Sequence, residues 1–161
     1  DPSWDLGPAV FRENARRCIE AGTDAFAVIN TLMGMAVDSE KRRPVLANVQ
    51  GGLSGPAIKP IALLKTWQVY QEAWPHKVPI IGQGGITTAS DALEFLIAGA
   101  SAVGVGTALF YDPLVCAKIN AGIADYLRRH GIAGVGKLVG TLAADGGTGT
   151  RNISVEASAA G

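Results

Sequence analysis

The sequence has few charged residues and few aromatic residues. Charged residues make up 17% of the 161 residues and aromatic residues 6%, whereas apolar residues make up 48%. A chain with so many apolar residues and so few charges is not expected to be disordered. The 14 basic and 14 acidic side chains balance to zero net charge. This balance predicts binding neither to nucleic acid nor to an anionic membrane.

The sequence also has only two cysteines, no long apolar run and no segment at its start that is typical of a targeting signal. Cys18 and Cys116 are too few for a disulfide framework, which favours a reducing compartment and therefore the cytoplasm. No apolar run reaches about 18 residues, so no membrane span is predicted. The first residues carry no basic and apolar leader. Because they are Asp1-Pro2-Ser3-Trp4 without an initiator Met, we expect the chain to be a piece of a longer protein.

Helices and strands are predicted to alternate along the chain. Three apolar runs, residues 24–30, 78–82 and 101–105, are typical of strands buried on both faces of a parallel sheet. A further short strand is expected at residues 45–47. Pro, Thr or Asp begins each predicted helix and Gly or Pro follows it. The predicted helices are residues 8–21, 56–73, 88–98 and 112–130.

This alternation predicts an α/β fold with covering helices. An open doubly wound sheet and a TIM (β/α)8 barrel both satisfy the pattern, but a barrel needs about 200 or more residues. We therefore predict that residues 1–130 form the C-terminal half of a barrel, with parallel strands. Residues 131–161 are predicted to form a short helix at 135–144 and a flexible tail rich in Gly, Thr, Ser and Ala.

Candidate binding residues lie where the predicted strands end, because ligands of βα units bind beyond the carboxyl ends of the strands. Gly84-Gly85 and Gly106-Thr107 follow two successive strands. Backbone N–H groups approach an anion closely where no Cβ intervenes, and the start of the following helix adds a favourable partial charge. The two loops therefore predict a phosphate site. The alternative is that these glycines only form tight turns.

Other polar residues give weaker signals. Asn30-Thr31 ends an apolar strand, where an amide and a hydroxyl can hold a planar ligand or simply cap a turn. Cys18 and Cys116 are expected to be core thiols. Lys59, close to Gly55, could face a phosphate or solvent, and solvent is the favoured expectation. The cysteines and histidines do not have the spacing of a metal site, and no metal is predicted.

Four segments, in order along the chain, resemble class 1 dihydroorotate dehydrogenase. They are residues 29–32 (INTL), 44–63 (PVLANVQGGLSGPAIKPIAL), 79–86 (PIIGQGGI) and 98–107 (AGASAVGVGT). The stretch GGLSGPAIKP is the most specific of these motifs. The resemblance extends from about Gly7 to His130 and is strongest to the subtype that works with an iron–sulfur flavoprotein subunit.

The resemblance implies an FMN-dependent TIM barrel that oxidises dihydroorotate to orotate in pyrimidine biosynthesis. It places the family's substrate contacts on Asn30 and Thr31. It implies a partner with flavin and an iron–sulfur cluster that passes electrons to NAD. The family's FMN contacts fall on six residues, of which the last four would hold the phosphate: Ile29, Gly55, Gly84, Gly85, Gly106 and Thr107.

The sequence also departs from this family. In the resembling subtype, a cysteine in the first half of the barrel takes the substrate proton, and neither Cys18 nor Cys116 lies in the matching motif. The family's lysine beside the flavin precedes the first helix, where only Ser3 and its neighbours remain. No catalytic residue is therefore predicted in this chain. Since a general base contributes typically about 10²–10⁴-fold, weak or no activity is expected from the chain alone.

A half-barrel would expose apolar side chains and strand edges, so we expect it to form homo-oligomers. Two other functions remain open. A dihydropyrimidine dehydrogenase-type domain shares the Asn-Thr and S-G-P-A-like motifs and would reduce uracil or thymine. A non-catalytic flavin- or phosphate-binding half-barrel is the other alternative.

Overall fold

The computed structural model of the protein describes residues 7–143. The expectations for the segment around Ser3 and for the tail from Asp145 onward lie outside these residues. Within residues 7–143, no helix is both long and apolar enough to cross a membrane.

Seven short strands form three sheets in the described part of the chain. They are β1 (Phe26–Val28), β2 (Leu32–Gly34), β3 (Val37–Asp38), β4 (Arg43–Pro44), β5 (Gly51–Leu53), β6 (Ile80–Gln83) and β7 (Ala102–Gly104). The main sheet is parallel and has the order β1–β6–β7. Two antiparallel pairs, β2–β5 and β3–β4, lie in the long connection that follows β1. The parallel sheet confirms the predicted α/β class.

Four α-helices alternate with the parallel strands. They are α1 (Pro8–Glu20), α2 (Lys59–Ala73), α3 (Ala89–Ala98) and α4 (Val115–Arg129). Each lies within three residues of its predicted ends. Proline occupies the first turn of α1, and Gly99 ends α3 with a φ of 120° that favours glycine. The predicted helix at 135–144 is instead a single 3₁₀ turn, Val135–Lys137.

The core lies between the helices and one face of the parallel sheet. Phe95 of α3 and Ile80 of β6 are almost completely buried there. A Cβ on Gly82 would lie only 2.7 Å from Phe95 Cδ1 and 2.9 Å from Ala100 Cβ. Glycine at this position therefore lets α3 pack directly on β6, and this packing fixes the end of β6.

The opposite face of the sheet is uncovered within residues 7–143. Ala27, Ile81 and Ala102 share one row of the register and are all exposed. Ile81 lies in the central strand and is still 41% exposed. An apolar side chain at the centre of a sheet normally has a covering layer.

Three local predictions are wrong. Cys18 and Cys116 are exposed rather than buried. Each is the immediate neighbour of a residue that packs in the core, Ile19 on α1 and Val115 on α4, and successive helical residues point about 100° apart. The expected strand at residues 45–47 does not form, because the pairing with β3 is made by Arg43–Pro44.

Candidate ligand-binding site

A cavity of about 340 Å³ lies at the carboxyl ends of β1, β6 and β7. This volume is within the range of about 300–1,000 Å³ that is usual for small-molecule sites. The cavity brings together all eight binding residues predicted from the sequence: Ile29, Asn30, Thr31, Gly55, Gly84, Gly85, Gly106 and Thr107. They come together because parallel strands place their carboxyl ends at one edge of the sheet.

Four backbone amides beside this cavity have no acceptor in the described part of the chain. The N–H groups of Gly84, Gly85, Gly106 and Thr107 donate no hydrogen bond to any residue in the range 7–143. Backbone N–H groups without a partner in the chain need water or a ligand as acceptor. No charged side chain from the described residues lines the cavity. An anion bound here would therefore be held by neutral donors.

Glycine occupies the positions in the two loops for different structural reasons. Gly84 and Gly85 have φ values of 129° and 74°, a region that favours glycine. A Cβ on Gly85 would also lie 2.7 Å from the carbonyl oxygen of Gly55. Gly106 has a φ of −115°, and a Cβ there would meet nothing within 4 Å. The open space beside Gly106 leaves room for close approach of a ligand at that point.

The start of α3 already has a carboxylate of this chain beside it. The start of α3 is already occupied by the carboxylate of Asp91, whose Oδ2 accepts hydrogen bonds from the N–H groups of Thr87 and Thr88 at 3.0 and 2.9 Å. After β7, the chain forms only a 3₁₀ turn, Thr107–Phe110. The free amides, rather than a helix start, are therefore the donors available to an anion.

Lys59 does not face solvent, contrary to the sequence-based expectation. Its Nζ lies 2.6 Å from Asp91 Oδ1 and 3.0 Å from Glu94 Oε1, and the side chain is 25% exposed. The hydrogen bonds to Asp91 and Glu94 raise the pKa of Lys59. Burial raises the pKa of Asp91, but the hydrogen bonds from Lys59 and the two threonines outweigh burial and hold that pKa well below its usual range.

The end of β1 is fixed by Gln83. Ile29 N donates to Gln83 O at 3.0 Å, and Gln83 Nε2 donates to Ile29 O at 3.1 Å. Asn30 Oδ1 accepts a hydrogen bond from Thr31 N at 2.8 Å. The side-chain oxygen of Asn30 therefore caps the local turn, which was one of the two roles expected from the sequence. The Nδ2 group of Asn30 donates no hydrogen bond within residues 7–143 and remains available to a ligand.

Sequence reasoning missed four polar side chains that line the cavity, those of Ser54, Gln83, Thr87 and Tyr111. Gln83 and Ser54 both lie inside motifs that were recognised, and a polar side chain directly beside a loop glycine was the available signal. Thr107 Oγ1 donates to Ser54 Oγ at 3.0 Å. Tyr111, which is 83% exposed, had no distinguishing pattern in the sequence.

Comparison with known proteins gives consistent matches over most of the chain. Residues 5–127 match the family model for dihydroorotate dehydrogenase. The "Dihydroorotate dehydrogenase B (NAD(+)), catalytic subunit" of Geotalea uraniireducens is 58% identical over 130 residues, which are 81% of this chain and 42% of the relative. The protein of the same description from Porphyromonas gingivalis is 53% identical over 139 residues, 85% of this chain and 44% of the relative.

Solved structures give a similar result. The crystal structure of DHODH from Eimeria tenella in complex with ferulenol aligns with a TM-score of 0.69 and 31% sequence identity. The alignment covers 85% of this chain and 36% of that one. The chain thus spans less than half the length of the relatives that it matches.

Proposed function

The chain belongs to the dihydroorotate dehydrogenase family and folds as part of a TIM (β/α)8 barrel, and from this we propose that it binds FMN and substrate in an enzyme that oxidises dihydroorotate to orotate. This reaction is a step of pyrimidine biosynthesis. The observation that carries the proposal is a group of four backbone amides that have no acceptor among residues 7–143, around a cavity that no charged side chain of those residues lines.

The residues present fit the phosphate of FMN. The free N–H groups of Gly84, Gly85, Gly106 and Thr107 would hold its oxygens, and the space beside Gly106 leaves room for close approach. Ile29 lies on the β1 side of the same cavity. Ile29 and Gly55 would then contact the remainder of the cofactor.

Asn30 and Thr31 would hold the pyrimidine. The free Nδ2 group of Asn30 donates to a ring carbonyl, and the Thr31 hydroxyl can donate or accept. Bound FMN would accept the hydride that dihydroorotate loses on oxidation. The same oxidation releases a proton from the neighbouring ring carbon.

The described residues do not supply a group for that proton. None of the side chains lining the cavity is a Cys, His, Asp, Glu or Lys. Since the chain spans 42% of the Geotalea relative, we propose that the proton acceptor comes from the part of the family's length that this chain does not span. The chain alone is then expected to bind FMN and to turn over weakly or not at all.

A titration with FMN and with riboflavin, which lacks the phosphate, tests the proposal. Flavin fluorescence reports binding to the intact chain. We expect FMN to bind at least about tenfold more tightly than riboflavin, because charge-assisted hydrogen bonds to the phosphate add to binding. Equal affinities, or no binding of either flavin, would overturn the proposed phosphate site.

The lack of a proton acceptor in the described cavity also favours a second candidate, a non-catalytic flavin-binding module. The two candidates differ in whether the FMN-loaded chain recognises the pyrimidine. A change in the absorbance of the bound flavin on addition of orotate, or its slow bleaching by dihydroorotate under anaerobic conditions, supports the dehydrogenase. A bound flavin whose absorbance neither compound changes supports the non-catalytic module.

The descriptions of the relatives support a separate partner subunit. They are described as catalytic subunits of a B-type enzyme that uses NAD(+). We propose that this protein likewise passes electrons to a separate iron–sulfur flavoprotein subunit and works in the cytoplasm. Self-association is supported by apolar side chains exposed on and beside the β2–β5 pair, among them Met33 at 66% and Met35 at 62%.

A further inference from the structure

Asp91 holds the end of the loop that carries two of the free amides. Its Oδ2 accepts from the N–H and the hydroxyl of both Thr87 and Thr88, over distances of 2.9–3.0 Å. These threonines follow Gly84 and Gly85 after one buried residue, Ile86. The loop is therefore fixed on one side by β6 and on the other side by one carboxylate.

Lys59 reaches the same loop from α2. Its Nζ binds Asp91 Oδ1 at 2.6 Å, and the two residues are 32 positions apart in the sequence. Its main chain lies against Gly85, since a Cβ on Gly85 would be 3.1 Å from Lys59 N and 2.9 Å from Lys59 Cβ. The pair thus joins the starts of α2 and α3 across the loop.

The charge of this pair also matters for an anion nearby. A carboxylate beside the loop would repel a phosphate at Gly84 and Gly85 unless a cation compensated it. Lys59 supplies that cation, and Asp91 itself is only 13% exposed, so solvent screens it little. Glu94, the second carboxylate on Lys59, is 40% exposed and more strongly screened.

We propose that Asp91 and Lys59 are positioning residues that set the phosphate-binding conformation of the loop at Gly84–Gly85. This inference rests on the proposed binding of FMN by this chain. The pair does not contact the phosphate. Asp91 fixes the loop through Thr87 and Thr88, and Lys59 fixes and neutralises Asp91.

Two variants separate this role from simple folding. Asp91→Asn keeps a carbonyl oxygen for the threonine N–H groups but places an NH2 group against Lys59. Lys59→Met keeps the carboxylate and removes its cation. Lys118→Met is the matched control, because Lys118 likewise binds an aspartate, Asp112, at 2.6 Å, but on the exposed side of α4.

The measurements are the affinities for FMN and riboflavin and the ³¹P resonance of bound FMN, with thermal unfolding as the check on folding. We expect Asp91→Asn and Lys59→Met to weaken FMN by about tenfold and riboflavin by less than about twofold, and to shift the ³¹P resonance. Lys118→Met should leave both affinities and the resonance as in the wild type.

The possible failures are distinguishable. If the wild type shows no preference for FMN over riboflavin, the proposed function is overturned and the inference with it. If the wild type prefers FMN and both variants keep that preference and the ³¹P resonance, the positioning role alone is overturned. A variant that only lowers the melting temperature, or weakens both flavins equally, shows that the pair is merely structural.

Discussion

Thr107 Oγ1 donates a hydrogen bond to Ser54 Oγ at 3.0 Å, although the two residues are 53 positions apart. The bond joins the loop after β7 to the loop before α2, and both loops line the cavity. Ser54 precedes Gly55, whose φ of 82° turns the chain into the 3₁₀ turn before α2. The cavity is therefore built from loops that hold each other as well as from the ends of the strands.

The first prediction concerns this hydroxyl. Thr107→Val preserves the shape and the backbone N–H of residue 107 and removes Oγ1. The bond contributes about 0.5–1.5 kcal/mol to holding the two loops together in the free chain. Without it, FMN binding has to restore that arrangement, so we expect FMN affinity to fall by up to about tenfold. Flavin fluorescence titration measures the change.

The matched control for this prediction is Thr141→Val. Thr141 Oγ1 donates to Leu138 O at 2.8 Å and lies away from the cavity. FMN affinity should be unaffected by this change. Equal losses in the two variants would mean that the hydroxyl at position 107 has no special relation to the cofactor.

The second prediction tests the space beside Gly106. Gly106→Ala adds a Cβ that meets no atom of the described chain within 4 Å. The free energy of unfolding is measured alongside, so that an effect on folding is separated from an effect on binding. FMN affinity should fall on the order of tenfold, because crowding by one methyl group costs about 1–3 kcal/mol.

Gly136→Ala is the control for Gly106→Ala. A Cβ on Gly136 also meets nothing within 4 Å, and Gly136 does not line the cavity. Chemical denaturation and FMN titration of both variants decide the question. Unchanged FMN affinity in Gly106→Ala would show that the phosphate does not approach this residue.

Some site residues could be predicted from the order of strands and helices, and others could not. Gly84, Gly85 and Gly106 could be assigned to one site, because the positions of strand ends in a parallel sheet follow from the alternation of strands and helices. Lys59 could not be assigned, since its environment depends on Asp91, which α3 supplies 32 positions later.

The wrong predictions have a common physical origin. A one-residue difference on a helix turns a side chain by about 100°, which is enough to expose Cys18 beside the core residue Ile19. The strand at Arg43–Pro44 exists only because β3 pairs with it, and an apolar run such as residues 45–47 does not reveal its partner. Sequence patterns predicted the main elements, whereas neighbours distant in the sequence decided the details.

The third prediction is a pH dependence. Burial raises the pKa of Asp91, but the hydrogen bonds from Lys59 and the two threonines outweigh burial and hold that pKa in the folded chain below its usual range. The unfolded state thus takes up a proton at higher pH than the folded state. The stability contributed by ionised Asp91 is therefore present above about pH 4 and is lost as the pH falls below that value.

The comparison of wild type with Asp91→Asn isolates this effect, because the other carboxylates are common to both proteins. The wild type should have the larger free energy of unfolding at pH 7. The difference should decrease as the pH is lowered from about 4 toward 2. Urea denaturation at several pH values measures it, and a difference that stays constant down to pH 2 would contradict the assignment.

The last prediction concerns the uncovered face of the main sheet. Ile81 is 41% exposed at the centre of the row formed with Ala27 and Ala102. Burial of such a face is worth about 25 cal/mol per Å² of apolar surface, which favours association. Light scattering after size-exclusion chromatography should therefore give a mass above the 16.6 kDa of one chain.

Ile81→Lys should lower that mass, because association would bury its charge. Val10→Lys should not, since Val10 is exposed to a similar extent, 47%, but lies on α1 away from the sheet face. A wild-type chain that stays monomeric at high concentration would show that this face does not mediate self-association, and equal effects of the two lysines would place the contact elsewhere.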